Sequence, residues 1–328
     1  MKIGVIGAGV AGGYLGSALG QLGHEVVVFE KSRGFGGRLA TRRGEGVQFD
    51  HGAPFFTART PLFKALLAEH ASSVVAWTPR VTTLSSAGKP YKRDWFEPHY
   101  IGDSAMGALA QSLLATSEVQ FEREVSAVVS EAEHCLVQFK DGALEPYDFV
   151  ISTAPAPQTA VIMNIELGDV SYSSSFALLA IPRESPKFDA AVVKDSLIEW
   201  LEFTASKPSR VSTPTLVAHA SAEWTVKHFD APRDEVKQLM VSALAELGLE
   251  VESDPSLHRW RYAQVVQPYH SPYWLSPQLK LAACGDWGVG PGVESAVISA
   301  SKLVAAIAAR SLVNNSEADL YKRFRFVF

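Results

Sequence analysis

The spacing of glycines at the start of the chain constrains its fold more than any other feature. An apolar run, Lys2–Ile6, leads at once into Gly7-Ala8-Gly9-Val10-Ala11-Gly12, and glycines return at Gly16 and Gly23. A second apolar run, Glu25–Phe29, ends on Glu30. This pattern predicts a β-α-β unit. Gly7 makes the tight turn, Gly9 lets backbone approach a pyrophosphate, and Gly12 lets the helix close on the strand. The helix N-terminus, around Ala11, then faces an anion. Glu30 stands about 20 residues on, where an acidic side chain accepts hydrogen bonds from a ribose diol. Leu15, Ala18, Leu19 and Leu22 fall on one helix face. The unit is expected to hold a dinucleotide.

A hydropathy window offers a competing reading, because residues 3–23 carry no charge and follow Lys2. A signal peptide or a spanning helix has that profile, and Gly9 and Gly13 even mimic a membrane-helix dimer motif. Gly, however, takes seven of the first 20 positions and is a poor residue in an isolated helix. The β-branched run Val26-Val27-Val28 suits a buried parallel strand instead. No membrane segment is expected.

The residues after Glu30 select among dinucleotides. Lys31-Ser32-Arg33-Gly34-Phe35-Gly36-Gly37-Arg38 brings backbone amides and a guanidinium back to the pyrophosphate. Such a turn resembles the two-dinucleotide-binding flavoproteins, which implies FAD. Near the other end, Leu281-Ala282-Ala283-Cys284-Gly285-Asp286-Trp287 leads to Gly290-Pro291-Gly292-Val293-Glu294-Ser295-Ala296. A strand ending in Gly-Asp, a Gly-rich loop and a helix are expected there. Asp286 would accept from ribityl hydroxyls, and the amides of Gly292 and Val293 would point at the flavin N1–C2=O edge. Lys31, Gly37, Arg38, Gly52, Ala53 and Val125 complete the expected cofactor contacts. Glu294 reads as an acid favoured by its helix dipole.

With 328 residues and 47% apolar content the chain can bury a large core, and two lobes are expected. A net charge of −5 gives no electrostatic footprint for nucleic acid. Two cysteines, Cys135 and Cys284, speak against a disulfide framework or a structural zinc site and point to a reducing cytoplasm. Neither lies in the Gly-rich C-terminal loop, where some amine oxidases attach flavin, so FAD is expected to be noncovalent. No metal-ligand spacing and no nucleophilic hydrolase motif is present.

The predicted fold is α/β: a Rossmann-like FAD-binding domain of the two-dinucleotide-binding type, with a second, mixed-sheet α+β substrate domain. The first is assigned residues 1–60, 101–160 and 275–328, the second 61–100 and 161–274. Helices are expected over 62–70, 104–117, 233–247 and 294–310. Short alternating strands are expected over 77–100, and a strand pair over 119–129 and 135–140 with a turn at Asp141-Gly142. Further strands are expected at 149–153, 175–181, 214–220 and 279–284.

Taken together, the chain resembles the renalase-like branch of the FAD-dependent amine-oxidase-type flavoproteins. The resemblance rests on both ends and on Asp50-His51-Gly52-Ala53-Pro54-Phe55-Phe56-Thr57, Val170-Ser171-Tyr172-Ser173-Ser174 and His258-Arg259-Trp260-Arg261-Tyr262-Ala263. It implies oxidation of misreduced 2- and 6-dihydro nicotinamide dinucleotides, with O2 as acceptor and H2O2 as product. The chain departs from the family pattern at Pro54-Phe55, where a Gln-Tyr pair is expected, and at Asp103-Ser104-Ala105-Met106, where a Pro-Gly-Met turn is expected.

Hydride transfer from a dihydropyridine to flavin needs no protein base, only a slot aligning donor carbon and N5. Trp287, beside Asp286, is the first expected wall of that slot, followed by Phe55, Trp260 and Tyr262. His51 is a further candidate, since its loop should pass the flavin ring. His219 lies in an apolar run and is expected to be a satisfied core histidine. A true amine oxidase, a desaturase, and a catalytically idle flavoprotein that binds a partner are the alternatives.

Overall fold

The computed structural model describes residues 1–85, 88–89, 91–92, 97–252 and 254–324. Residues 86–87, 90 and 93–96 of the expected strand region 77–100 lie outside it. The opening unit is a strand (Lys2–Ile6), a helix (Val10–Gln21) and a parallel strand (Glu25–Phe29). Val26, Val27 and Val28 are all buried, as a strand covered on both faces requires. These strands belong to a six-stranded sheet in the order Tyr273–Ser276, Leu281–Cys284, Phe149–Ser152, Lys2–Ile6, Glu25–Phe29, Glu118–Gln120. Neighbours run parallel except at the first pair. The chain leaves Lys2–Ile6 on one side for Glu25–Phe29 and returns on the other as Phe149–Ser152. The strand order therefore switches there, and a crevice opens beyond the carboxyl ends.

Gly7 and Gly12 fix how the helix meets the sheet. Gly7 has a φ of 106°, and a Cβ on Gly12 would stand 1.9 Å from the Gly7 carbonyl oxygen. The run of glycines thus serves close helix–strand packing, and no helix among the described residues is long and apolar enough to cross a membrane.

A seven-stranded sheet forms the second layer: Ser256–Gln267, Ser171–Ala180, Leu216–Ala220, Ile198–Phe203, Ala190–Lys194, Val81–Ser85, Tyr91–Lys92. Its pairs are antiparallel except Ala190–Lys194 with Val81–Ser85. Arg233–Glu246 covers one face through Val236, Met240, Ala243 and Leu244. The architecture is the expected one: a Rossmann-like dinucleotide-binding unit followed by a mixed-sheet α/β part.

Three local expectations need correction. The helix expected over 104–117 is only Ala108–Leu113, because Ser104 adopts a φ of 56° and the Ala105 amide turns back to Asp103 O at 2.6 Å. The strand expected over 119–129 is split. Glu118–Gln120 joins the parallel sheet, and Val125–Ser130 pairs with Cys135–Phe139. Between them the Glu122 amide donates to Ser32 O and the Arg123 amide to Glu30 O, at 3.1 and 3.0 Å. The Asp141-Gly142 turn joins Cys135–Phe139 to a third strand, Leu144–Tyr147. The pair Ala190–Lys194 and Ile198–Phe203, closed by a turn with Asp195 at φ 57°, was not expected.

One sealed ion cluster joins the two layers. Lys207 Nζ lies 2.6 Å from Glu202 Oε1 and 3.2 Å from Asp50 Oδ2, and Arg210 Nε lies 3.0 Å from the same Asp50 oxygen. All four side chains are fully buried. Thr41 Oγ1 donates to Asp50 Oδ1, and Arg210 Nη2 donates to Gly102 O. Burial pushes the Asp50 carboxyl up, but Lys207 and Arg210 overcome it and hold Asp50 below its ordinary value. Removing one cation leaves the partner charges stranded in low dielectric. Lys207→Met is expected to lower unfolding free energy by about 3–5 kcal/mol, read as a fall in urea midpoint.

Candidate active site

The crevice at the carboxyl ends of the parallel strands widens into a cavity of about 2040 Å³. At its nucleotide end, the helix Val10–Gln21 starts with no side-chain cap and no acidic residue in its first turn. Its first amides, Val10 and Ala11 among them, therefore face the cavity with the positive end of the helix dipole. Glu30 is 7% exposed, and its two carboxylate oxygens accept from the Ala8 and Ser32 amides at 2.9 and 2.8 Å. That fixes the carboxylate and leaves lone pairs that can accept from further donors. Gly36 donates to Ala8 O at 3.0 Å, which brings the 34–38 loop over the opening turn.

The C-terminal half-site closes on the same space. Arg38 makes a two-pronged bond to Asp286, Nη1 to Oδ2 at 2.7 Å and Nη2 to Oδ1 at 2.6 Å. Gly292 has a φ of 114° with nothing near its missing side chain, and Val293 begins the long helix Val293–Phe324. Glu294 does more than face its own helix dipole. It accepts from the Thr60 amide and hydroxyl and from the Arg59 amide, so it ties the start of the helix Pro61–Glu69 to this loop.

Every cofactor or substrate residue picked from the sequence lines this one cavity except Gly12 and Trp287. Gly12 is consumed by the helix–strand contact. Trp287 is a correction: it is fully buried, its Nε1 donates to Ala154 O at 3.2 Å, and it packs with Ala156, Leu167, Val265 and Ala283. Asp286 and Trp287 sit in one short helical turn, Asp286–Gly288, which sends successive side chains to different sides. With Asp286 turned to the cavity, Trp287 goes into the core.

The walls on the far side come from the second sheet and the 50–56 loop. Trp260 stacks on His51 at 5.4 Å and donates its Nε1 to His51 O at 2.8 Å. Phe55 meets Trp200 at 5.8 Å and His99 at 4.3 Å, and Tyr262 meets Tyr172 at 5.2 Å. Trp200, His219 and His258 also line the cavity and were not singled out as site residues. Cross-strand register puts them there, with Trp200 opposite His219, and His219 and His258 both opposite Ala177. Trp200 and His219 lie on successive strands, but His258 comes from a strand beyond the helix Arg233–Glu246, and register leaves no local signal of that juxtaposition.

His219 is buried, as expected, but is not satisfied: its Nε2 has no hydrogen-bond partner. Burial pushes its pKa down to about 4, helped by Lys207 and His51. Burial likewise pushes His258 down to about 4, with His51, Arg233 and Arg42 adding to the effect. These rings are therefore neutral hydrogen-bonding groups at neutral pH. Cys135 and Cys284 are buried outside the cavity, and burial pushes their thiols up to about 11 and about 12. No cluster among the described residues is arranged to hold a metal ion.

The depressed histidines link stability to pH. Unfolded, they protonate near 6.5; folded, they stay neutral to about pH 4. The unfolded chain therefore binds protons first, and stability falls as pH drops from about 6.5 to about 4. Urea midpoints measured across that window are expected to decline, and His219→Leu is expected to make the decline shallower.

Residues 5–70 match the model of an NAD(P)-binding Rossmann-like domain, and residues 76–300 match that of flavin containing amine oxidoreductases. A stretch of 52 residues is 46% identical to 4,4'-diapophytoene desaturase (4,4'-diaponeurosporene-forming) of Staphylococcus aureus. It spans 16% of this chain and 10% of that protein, so the match covers about a tenth of the curated relative's length. Solved structures share the fold over nearly the full length. Putrescine oxidase bound to putrescine superposes with a TM-score of 0.71 at 13% identity, covering 94% of this chain and 99% of that one. An oxidoreductase from Methanosarcina mazei gives 0.71 at 15%, covering 93% and 100%. A CLA-producing fatty acid isomerase from P. acnes gives 0.71 at 12%, covering 93% and 98%. The chain belongs to the flavin containing amine oxidoreductase family.

Proposed function

We propose that the protein is a renalase-like oxidase with noncovalent FAD that takes a hydride from misreduced dihydronicotinamide dinucleotides and passes the electrons to O2, giving H2O2 in the cytoplasm. The observation that carries this reading is the single cavity running from the Glu30 carboxylate to the slot bounded by Phe55, Trp200, Trp260 and Tyr262. The residues present fit FAD. Glu30 would hold the ribose diol, the amides at Val10 and Ala11 the pyrophosphate, Arg38 and Asp286 the neighbouring polar stretch, and Gly292 and Val293 the ring edge. Lys31, Gly37, Gly52, Ala53 and Val125 would complete the contact surface. Bound FAD would supply the hydride acceptor and the reduction of O2.

The protein's own part is to bind, orient and exclude water. Flat aromatic walls align a planar donor, and no protein base is needed for hydride loss from a dihydropyridine. The only G-x-G-x-x-G turn is used by the first nucleotide. A nicotinamide substrate therefore enters between the aromatic walls rather than through a second nucleotide fold. We also propose that segments 1–60, 101–160 and 275–328 form the cofactor domain and that 61–100 and 161–274 form the substrate domain. Supporting this, the parallel sheet draws its strands from the first set, apart from the start of Tyr273–Ser276, and the seven-stranded sheet draws on the second.

Glu30→Ala removes a charged hydrogen-bond acceptor worth about 1.5–3 kcal/mol. FAD is expected to be lost on dilution of that variant, measured as flavin released through a desalting column. Unchanged occupancy would remove Glu30 from the site. In anaerobic mixing, dihydronicotinamide isomers are expected to bleach the flavin at least about tenfold faster than NADH or benzylamine, a barrier difference of about 1.4 kcal/mol. Air should then restore the colour with formation of H2O2. Fast bleaching by benzylamine and none by the isomers would identify an amine oxidase instead.

A further inference from the structure

The charge of the cavity runs opposite to that of the chain. The protein as a whole carries a net charge of −5, yet ten basic and five acidic side chains line this one space. Four of the five acids are already engaged. Glu30 is held by backbone amides, Asp286 by Arg38, Glu124 by Lys140, and Glu294 by Thr60 and Arg59. The fifth, Glu199, is pushed up by burial alone, so no cation stands close enough to offset it.

Part of the positive surplus faces the substrate slot and not the nucleotide turn. Arg42 and Arg43 stand on the hairpin strand Thr41–Gly44, and Arg259 and Arg261 on the strand Ser256–Gln267. All four are exposed, and none makes an ion pair among the described residues. Arg259 and Arg261 lean on the Phe229 ring at 4.6 and 4.7 Å, and Arg259 also donates to Phe229 O. Arg42 is the one set at the slot. It lies opposite Phe49, and residues directly opposite in an antiparallel pair share a face. Phe49 and the slot residue Trp260 pack on the same cluster of Ala177, Leu179 and Val217. The Arg42 charge bears on both His51 and His258. A guanidinium fork beside an aromatic wall and without a carboxylate is suited to an anion.

We propose that Arg42 is the anion-binding residue of the substrate slot, and that the substrate carries a phosphate beside its flat ring, drawn in by the field of Arg43, Arg259 and Arg261. This holds whichever flat ring is oxidised, and so goes beyond the oxidase reading. A phosphate monoester carries about 1.5–2 negative charges at neutral pH, so it gains more than a carboxylate from several cations at once. A cleft lined by one sign of charge also raises the local concentration of the opposite ion. An ammonium group meets the opposing field.

Benzyl phosphate, benzyl alcohol and benzylamine share a ring and differ in charge. Their binding to the FAD-loaded protein, with the helix N-terminus filled, is read at about pH 7.5 from the flavin absorption band and by calorimetry. Benzyl phosphate is expected to bind at least about tenfold more tightly than benzyl alcohol, with benzylamine the weakest. Arg42→Gln is expected to weaken benzyl phosphate about three- to fivefold, the range of an exposed charged pair, and to leave benzyl alcohol unchanged. Arg42→Lys should restore part of the loss. Raising ionic strength from about 0.01 to about 0.1 M shortens the screening length from about 30 to about 10 Å. That change is expected to weaken benzyl phosphate at least about threefold and benzyl alcohol not at all.

Benzyl alcohol binding as tightly as benzyl phosphate overturns the proposal. So does a phosphate preference untouched by Arg42→Gln. Tightest binding of benzylamine, lost in Glu199→Gln, would establish an ammonium site in its place. A phosphate preference that depends on Arg42, with no bleaching by dihydronicotinamide isomers, sinks the oxidase reading alone. Bleaching at equal rates by the isomers of the mononucleotide and of its phosphate-free riboside sinks the anion subsite alone.

Discussion

The sealed contact of Lys207 with Asp50 and Glu202, extended by Arg210, holds the catalytic architecture together. Asp50 ends a strand of the hairpin that follows the nucleotide unit, whereas Glu202, Lys207 and Arg210 belong to the second sheet and the loop after it. Burying these charges is costly unless geometry is good and the remaining lone pairs are filled. Thr41 and Gly102 supply part of that completion. The cluster therefore permits few relative placements of hairpin and sheet, since a small slide would break charged bonds that water cannot reach. His51 follows Asp50 directly, so the same restraint sets where the 50–56 loop meets Trp260 and His258.

The nucleotide half was legible because its information is local. Gly7, Gly9, Gly12 and Glu30 lie within one β-α-β unit, and the tight turn at Gly7 and the close approach at Gly12 are set at fixed distances along the chain. Gly285-Asp286 and Gly292 were legible for the same reason. The substrate half was not. Trp200, His219 and His258 become neighbours only through the register of separate strands, and register is decided by pairing partners. Trp287 failed in the opposite way. Adjacency to Asp286 suggested a shared direction, but a single helical turn divides the two between cavity and core.

His219 shows how a composition-based expectation can be half right. An apolar run does bury it, yet its strand borders the cavity, and its Nε2 is sealed in without a hydrogen-bond partner. The same fold serves a fatty acid isomerase and a putrescine oxidase at 12% and 13% identity to this chain. Shared backbone with divergent lining is the expected arrangement when chemistry is supplied largely by a cofactor and selection by the opposite wall.

The Arg38–Asp286 pair has a consequence for how the protein comes to exist. One partner sits near the start of the chain and the other near its end, so the two half-sites are contiguous in space and remote along the backbone. Contacts that close such long loops carry a large entropic cost and form late. During synthesis the glycine-rich turn emerges early, but it faces no opposing wall until Leu281–Cys284 has inserted beside Phe149–Ser152. The two halves of this clasp thus close only once both segments are in place, and a chain that lacks the later one holds only half of it.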